Sequence, residues 1–176
     1  MGMDLIAKKP KNENYTDYRF NVWGWRPVWD YCIQYGCEKY IKDRKTPIIS
    51  IETAQNGHYN SGHLVSEKEA KKLAEMIKEH HLDGTLDKHH AGIQAGVEEA
   101  KLFNAELEKR LASLKKQAEK EAGKSDLAPI NYPETYKKRY DELVETRDWR
   151  SYYPFHRERM LDFAIFMEQS GGFEIW

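Results

Sequence analysis

The stretch Trp23-Gly24-Trp25-Arg26-Pro27-Val28-Trp29-Asp30-Tyr31 holds three of the five tryptophans of this 176-residue chain. Large aromatic side chains are costly to leave in water, so we expect this cluster to form part of a core or a pocket wall. Pro27 suits the first turn of a helix, because the amide hydrogen that proline lacks would have no partner there. Apolar residues follow it at helical spacing. The stretch therefore predicts a helix over residues 26–42.

Patterns on either side of this helix predict the other elements. Residues 18–25 alternate enough to be extended, and Ser66 with Glu69 forms a capping box ahead of a helix that ends near His81. Two further helices are expected over residues 134–147 and 155–169. Residues 3–7 could form a short strand that starts the fold, and the apolar end at residues 173–176 is expected to return as a strand beside it.

The longest pattern covers residues 89–121. Its apolar positions recur at alternating spacings of four and three, as in a coiled coil: Ile93, Val97, Ala100, Asn104, Leu107, Leu111, Leu114 and Ala118. A helix of about 30 residues extends roughly 45 Å, which exceeds the expected diameter of the remaining domain. We therefore expect the exposed part of the stripe to pair with a second copy as an antiparallel homo-oligomer, with Asn104 fixing the register.

These elements predict a mainly α protein with a small β element, in the α+β class. The core domain is expected to consist of residues 1–86 and 126–176, which carry the short terminal strands. Residues 87–125 are interpreted as an inserted long helix.

Composition excludes several classes of partner. The chain has 28 basic and 29 acidic residues and so no overall positive field, which argues against nucleic acid as a partner. No apolar run approaches the roughly 20 residues that span a bilayer, and the N-terminus lacks an apolar stretch of signal-peptide length. The expected compartment is the cytoplasm.

Four segments resemble a group of short uncharacterised bacterial and phage proteins: the start Met1-Gly2-Met3-Asp4, the tryptophan-rich stretch, the loop Gly57-His58-Tyr59-Asn60-Ser61-Gly62-His63, and the end Ser170-Gly171-Gly172-Phe173-Glu174-Ile175-Trp176. The resemblance leaves the long helix unmatched. It implies a bacterial or phage setting, with the host cytoplasm as the compartment if a phage encodes the protein. It assigns no catalytic residue.

Three places carry candidate ligand-binding residues. Tryptophan rings stack on flat ligands and arginine pairs with phosphate or carboxylate, so Trp23, Trp25 and Arg26 are the first candidates. The alternative is a core cluster with Arg26 and Asp30 as a surface pair. The second place is the glycine-rich loop, which suits an anion, a metal or a plain turn; its candidates are His58, Tyr59, Asn60, Ser61 and His63.

The third place is the start of the last helix, where His156 and Arg157 could complete an anion site or simply cap the helix. Four other histidines, at positions 80, 81, 89 and 90, are interpreted as part of a solvated connector into the long helix. No metal ligand set and no cofactor are expected, because ligand spacing typical of a zinc site is missing.

No motif of a known enzyme class occurs, which favours a non-enzymatic function. The leading hypothesis is a phage or bacterial binding protein for a small anionic, nucleotide-like ligand, with possible sequestering of a host defence signal. A second hypothesis is a protein–protein interaction or inhibitor module that acts through the heptad helix. A third is a metal-assisted hydrolase that uses His58 and His63.

Overall fold

The computed structural model describes residues 2–37, 39–40 and 46–176, and it confirms the α+β class. The described residues form four strands: β1 (Gly2–Ala7), β2 (Asp17–Asn21), β3 (His63–Val65) and β4 (Phe173–Ile175). They also form six α-helices: α1 (Val22–Gly36), α2 (Ile51–Asn56), α3 (Glu67–Leu82), α4 (Thr85–Ala122), α5 (Glu134–Glu145) and α6 (Arg157–Gln169). Short 3-10 helices lie at Glu13–Tyr15, Pro129–Asn131 and Trp149–Tyr152.

The strands form one antiparallel sheet in the order β2-β1-β4-β3. Leu5 of β1 lies opposite Ile175 of β4, so the first and last strands are neighbours, as the sequence predicts. Side chains alternate between the two faces of a strand. Met3, Leu5, Val65, Phe173 and Ile175 therefore share the buried face, while Ile6 and Leu64 point to the exposed face.

The start of α1 corrects the predicted boundary between strand and helix. The helix begins at Val22 rather than at residue 26, and Gly24 lies inside it rather than breaking a strand. The reason is a cap: the side chain of Asn21 accepts a hydrogen bond from the Gly24 amide at 2.7 Å. The helix ends at Gly36, and the predicted continuation through residues 41–42 lies outside the described residues.

The chain divides into two compact units. The first runs to Gln94 and resumes at Tyr153, so it contains the sheet, α1, α2, α3, α6 and the first turns of α4. The second comprises Ala95–Tyr152. These boundaries differ from the predicted segments, because residues 126–152 group with the long helix rather than with the C-terminal part of the core.

The first unit buries its core between the sheet and α1, α3 and α6. The apolar face predicted for α3 is buried at Ala70, Leu73, Ala74 and Ile77, and the capping box of Ser66 and Glu69 is present. On α6 the buried side chains include Met160, Phe163 and Phe166. No helix within the described part of the chain has both the length and the apolarity needed to cross a membrane.

The apolar stripe of α4 is covered within a single chain. Val97, Ala100, Leu107, Leu111, Leu114 and Ala118 are all buried. The Asn104 side chain donates to the Asp148 carbonyl at 2.8 Å and to Ser151 Oγ at 2.9 Å, and it accepts from the Asp148 amide at 3.0 Å. The stripe therefore does not need a second copy to leave water. Self-association stays a prediction, but the need to cover an exposed apolar stripe no longer supports it.

Candidate functional site

The exposed face of α1 carries three side chains from the tryptophan-rich stretch. Trp23, Arg26 and Asp30 are spaced by three and four residues, which places them within about 60° of one another around the helix axis. Trp23 is 41% exposed, and Arg26 and Asp30 are also exposed. Trp25 and Trp29 lie on another face of the same helix and are buried in the core. The stretch is thus divided between a surface and a buried face.

Tyr153, which lies just before α6, completes this surface. Its ring centroid lies 5.1 Å from that of Trp23, and the two rings are tilted by 60°. The guanidinium carbon of Arg26 lies 5.8 Å from the centre of the Tyr153 ring, within the range of a cation–π contact. An indole, a phenol and a guanidinium therefore meet at one exposed place in the first unit.

Asp30 and His58 extend the surface along α1. Asp30 Oδ1 lies 3.6 Å from His58 Nε2. Burial raises the pKa of the Asp30 carboxyl, while the nearby His58 and Arg26 lower it. Asp30 therefore pairs with His58, while Arg26 contacts Tyr153; the ion pair between Arg26 and Asp30 that the alternative reading required is not formed within 4.0 Å. We call Trp23, Arg26, Asp30, His58 and Tyr153 the α1 patch.

Buried tryptophans set the position of His58. The Trp25 indole donates to the Gly57 carbonyl at 2.8 Å, and the Trp29 indole donates to the Ala54 carbonyl at 3.0 Å. The two indoles stack with their centroids 5.2 Å apart. These bonds hold the end of α2 against α1, which brings His58 beside Asp30. Trp25 is fully buried, so it is a core residue rather than the ligand contact that we predicted.

The other candidates of the glycine-rich loop separate. Tyr59, Asn60 and Ser61 are exposed in the turn after α2, with Tyr59 66% exposed. His63 lies in β3 opposite Ile175, on the same face of the strand as the buried Val65. Its Nε2 atom is buried and has no hydrogen-bond partner among the described residues. His58 and His63 therefore face different surroundings.

The candidates at the start of α6 face the junction of α3 and α4. Arg157 forms an ion pair with Asp87 and donates a hydrogen bond to His81 Nδ1 at 3.1 Å. His156 occupies the N-cap position without a side-chain capping bond, and it is exposed. The contacts of Arg157 thus belong to this junction rather than to the α1 patch.

The predicted solvated connector at this junction is partly packed. The Tyr31 hydroxyl lies 2.8 Å from His80 Nδ1, and the His89 ring lies edge-on to Tyr31 and Phe155. Burial lowers the pKa of His89, and the neighbouring His90 lowers it further. A histidine ring has both apolar and polar surface, so it can pack against aromatic side chains as well as face water. The prediction that all four histidines are solvated is wrong for these two.

No group of three or more histidine, cysteine, aspartate or glutamate side chains suited to a metal ion occurs in the part of the chain that the structure describes. The α1 patch offers a different chemistry. It combines a cation, two flat rings and a carboxylate, which can contact an anionic group, a ring and a hydrogen-bond donor of one ligand.

Sequence reasoning missed Tyr153 and assigned Asp30 only a surface ion pair. The residues next to Tyr153 in the chain carry no pattern that links it to α1, because the contact is made by folding alone. No family model matches the chain, and neither the curated proteins nor the solved structures yield a match.

Proposed function

We propose that this chain is a non-enzymatic binding protein that holds a small anionic, nucleotide-like ligand on the α1 patch. The observation that carries the proposal is the placement of Arg26. Its guanidinium is exposed beside the rings of Trp23 and Tyr153, and among the described residues no carboxylate lies within 4.0 Å of it. An arginine in this position can pair with an incoming phosphate or carboxylate.

The rings supply the second part of the proposed contact. Trp23 is 41% exposed, and its indole offers aromatic surface against which a planar base can pack. Asp30 can accept a hydrogen bond from a hydroxyl or amino group of the ligand. A nucleotide-like molecule carries all three features: an anionic group, a planar ring and hydrogen-bond donors.

The biological role follows from the resemblance and not from the geometry. The resemblance implies a bacterial or phage setting, and in the host cytoplasm a protein with such a site can sequester a nucleotide-like defence signal. We propose this role for the chain on that basis.

Titration calorimetry with a panel of linear and cyclic nucleotides tests the proposed site. We expect one class of nucleotide to bind, and we expect Arg26→Ala to weaken its binding by about 2 kcal/mol or more, which is roughly 30-fold. The melting temperature should change little, since Arg26 is exposed. Equal affinity of the variant and the wild type would remove Arg26 from the site.

Two matched variants serve as controls. Arg19 is an exposed arginine on β2 that pairs with Asp4 at 3.3 Å, so Arg19→Ala should leave nucleotide binding unchanged. Trp149 is 54% exposed, and its ring centroid lies 5.6 Å from that of Tyr152. This pair resembles the pair formed by Trp23 and Tyr153. Trp149→Ala should therefore preserve binding, whereas Trp23→Ala should weaken it.

An interaction module that acts through α4 is the second candidate function. Leu102 and Phe103 favour it, because they are 75% and 46% exposed on that helix. This function predicts that no nucleotide of the panel shows saturable binding. The hydrolase hypothesis has less support: His58 pairs with Asp30, and His63 lies on the core side of β3.

A further inference from the structure

The second unit contains an open cleft of about 490 Å³ between α4, residues 126–132 and α5. Small-molecule sites have volumes of roughly 300–1,000 Å³, and most are lined by apolar and aromatic side chains with a few polar groups. The cleft lies wholly within the second unit. Its residues are distinct from those of the α1 patch.

Aromatic and apolar side chains line the interior of the cleft. Leu111 of α4 lies in its wall and is largely buried. The rings of Tyr132 and Tyr140 are perpendicular, with centroids 5.8 Å apart. Both tyrosines line the cleft, and aromatic side chains pack favourably against a planar ring.

The charges around the cleft are balanced in pairs. Lys115 Nζ lies 3.0 Å from Asp126 Oδ1, and Arg147 forms an ion pair with Glu108. All four side chains line the cleft. An anionic ligand would have to compete with these carboxylates for their cations, and a cationic ligand would have to compete with the cations. An uncharged ligand leaves both pairs intact.

The backbone at Asp126 adds a local constraint. Its φ angle of 58° lies in the left-handed region, which non-glycine residues adopt uncommonly, although aspartate tolerates it better than most. The ion pair with Lys115 fixes the Asp126 side chain at the mouth of the cleft. Such conformations concentrate at binding and switch regions.

We propose that this cleft is a second ligand site, and that it takes a small, uncharged molecule with a planar aromatic ring. The ring packs against Leu111, Tyr132 and Tyr140, and polar edges of the ligand contact the two ion pairs. This site differs in chemistry from the α1 patch, where the exposed Arg26 guanidinium favours an anion. The proposal does not depend on nucleotide binding at the α1 patch.

Saturation-transfer NMR with benzamide and benzoate tests the proposal, because the two probes have similar size and shape but differ in charge. Benzoate is also a planar anion of the kind proposed for the α1 patch, so both probes are titrated into the Arg26→Ala variant, which leaves the cleft residues unchanged. We expect saturable binding of benzamide to this variant, and binding of benzoate that is at least about tenfold weaker. No saturable binding of benzamide up to about 10 mM would overturn the proposal, and so would equal affinities for the two probes.

A filling variant locates the binding. Ala112 is exposed and lines the cleft, so Ala112→Phe should occupy the cleft without removing a core side chain, and it should abolish benzamide binding. Ala105, two turns earlier on the same side of α4, is exposed and does not line this cleft. Ala105→Phe should bind benzamide like the wild type. Unchanged benzamide binding by a folded Ala112→Phe variant would overturn the assignment.

Discussion

Gly57 is a residue at which the core leaves no room for a side chain. A Cβ atom added there would lie 2.2 Å from the Trp29 ring, which is fully buried. The φ angle of Gly57 is −65°, an ordinary value, so space rather than backbone conformation requires glycine. The Gly57 carbonyl also accepts the Trp25 indole bond. This single residue thus joins the core to His58 of the α1 patch.

Gly57→Ala should therefore destabilise the protein by about 1–3 kcal/mol, because the rigid indole of Trp29 must shift. Urea denaturation measures the change. Gly92 in α4 is the matched control, since a Cβ atom there meets nothing within 4 Å. Gly92→Ala should stabilise the protein by about 0.5–1 kcal/mol through helix propensity. A loss below about 0.5 kcal/mol for Gly57→Ala would show that the Trp29 contact is not restrictive.

At the scale of the element, the first turns of α4 are attached to α1 through His89. Its ring centroid lies 4.8 Å from that of Tyr31, 5.9 Å from that of Tyr35 and 5.0 Å from that of Phe155. Burial lowers the pKa of His89 from its ordinary value of 6.5, and His90 lowers it further. The unfolded chain therefore binds a proton at His89 more readily than the folded chain does.

This difference gives stability a defined dependence on pH. Well above pH 6.5 the ring is neutral in both states, and as the pH falls through 6.5 the unfolded state gains the proton first. The free energy of unfolding should consequently decrease between about pH 7.5 and about pH 5.5. His89→Phe keeps an aromatic ring but cannot titrate, so its denaturation midpoints should decrease less steeply than those of the wild type.

His156 provides the matched control for this pH series, because it is exposed. His156→Phe should keep the pH dependence of the wild type. If His89→Phe and the wild type lose stability with the same slope, His89 is not the group responsible.

At the scale of the whole molecule, the structure changes the expectation for the stripe of α4. Leu107 and Leu111 are 2% and 7% exposed within a single chain. Leu107→Glu combined with Leu111→Glu would place two carboxyl groups in this interior, where an unpaired charge is costly. The double variant should lose protection from hydrogen exchange across Ala95–Tyr152, and light scattering should give the same mass as for the wild type.

Leu102→Glu is the control for the double variant, because Leu102 is 75% exposed on the same helix. It should remain folded. A double variant that stays folded while its mass falls to half that of the wild type would show that the stripe contacts a second copy. That outcome would restore the self-association that the sequence predicts.

The sequence by itself determined the features that depend on neighbouring residues. The capping box at Ser66, the apolar face of α3 and the long helix follow from short-range hydrogen bonding or from periodicity, and the strand at the C-terminus follows from its apolar composition. The start of α1 was placed four residues too late, because the strand pattern concealed the cap that Asn21 forms. The alternating strand pattern and the helix cap compete at this position, and only the folded chain shows that the cap prevails.

The tertiary structure decided how these features are used. Composition marks the tryptophan-rich stretch as important, but packing assigns Trp25 to the core and Trp23 with Arg26 to the surface. It brings Tyr153 to Arg26 from a distant part of the chain, and it buries the α4 stripe within a single chain. A periodic pattern states that a face must be buried without stating what buries it. That choice depends on contacts between residues far apart in the sequence, which no local pattern encodes.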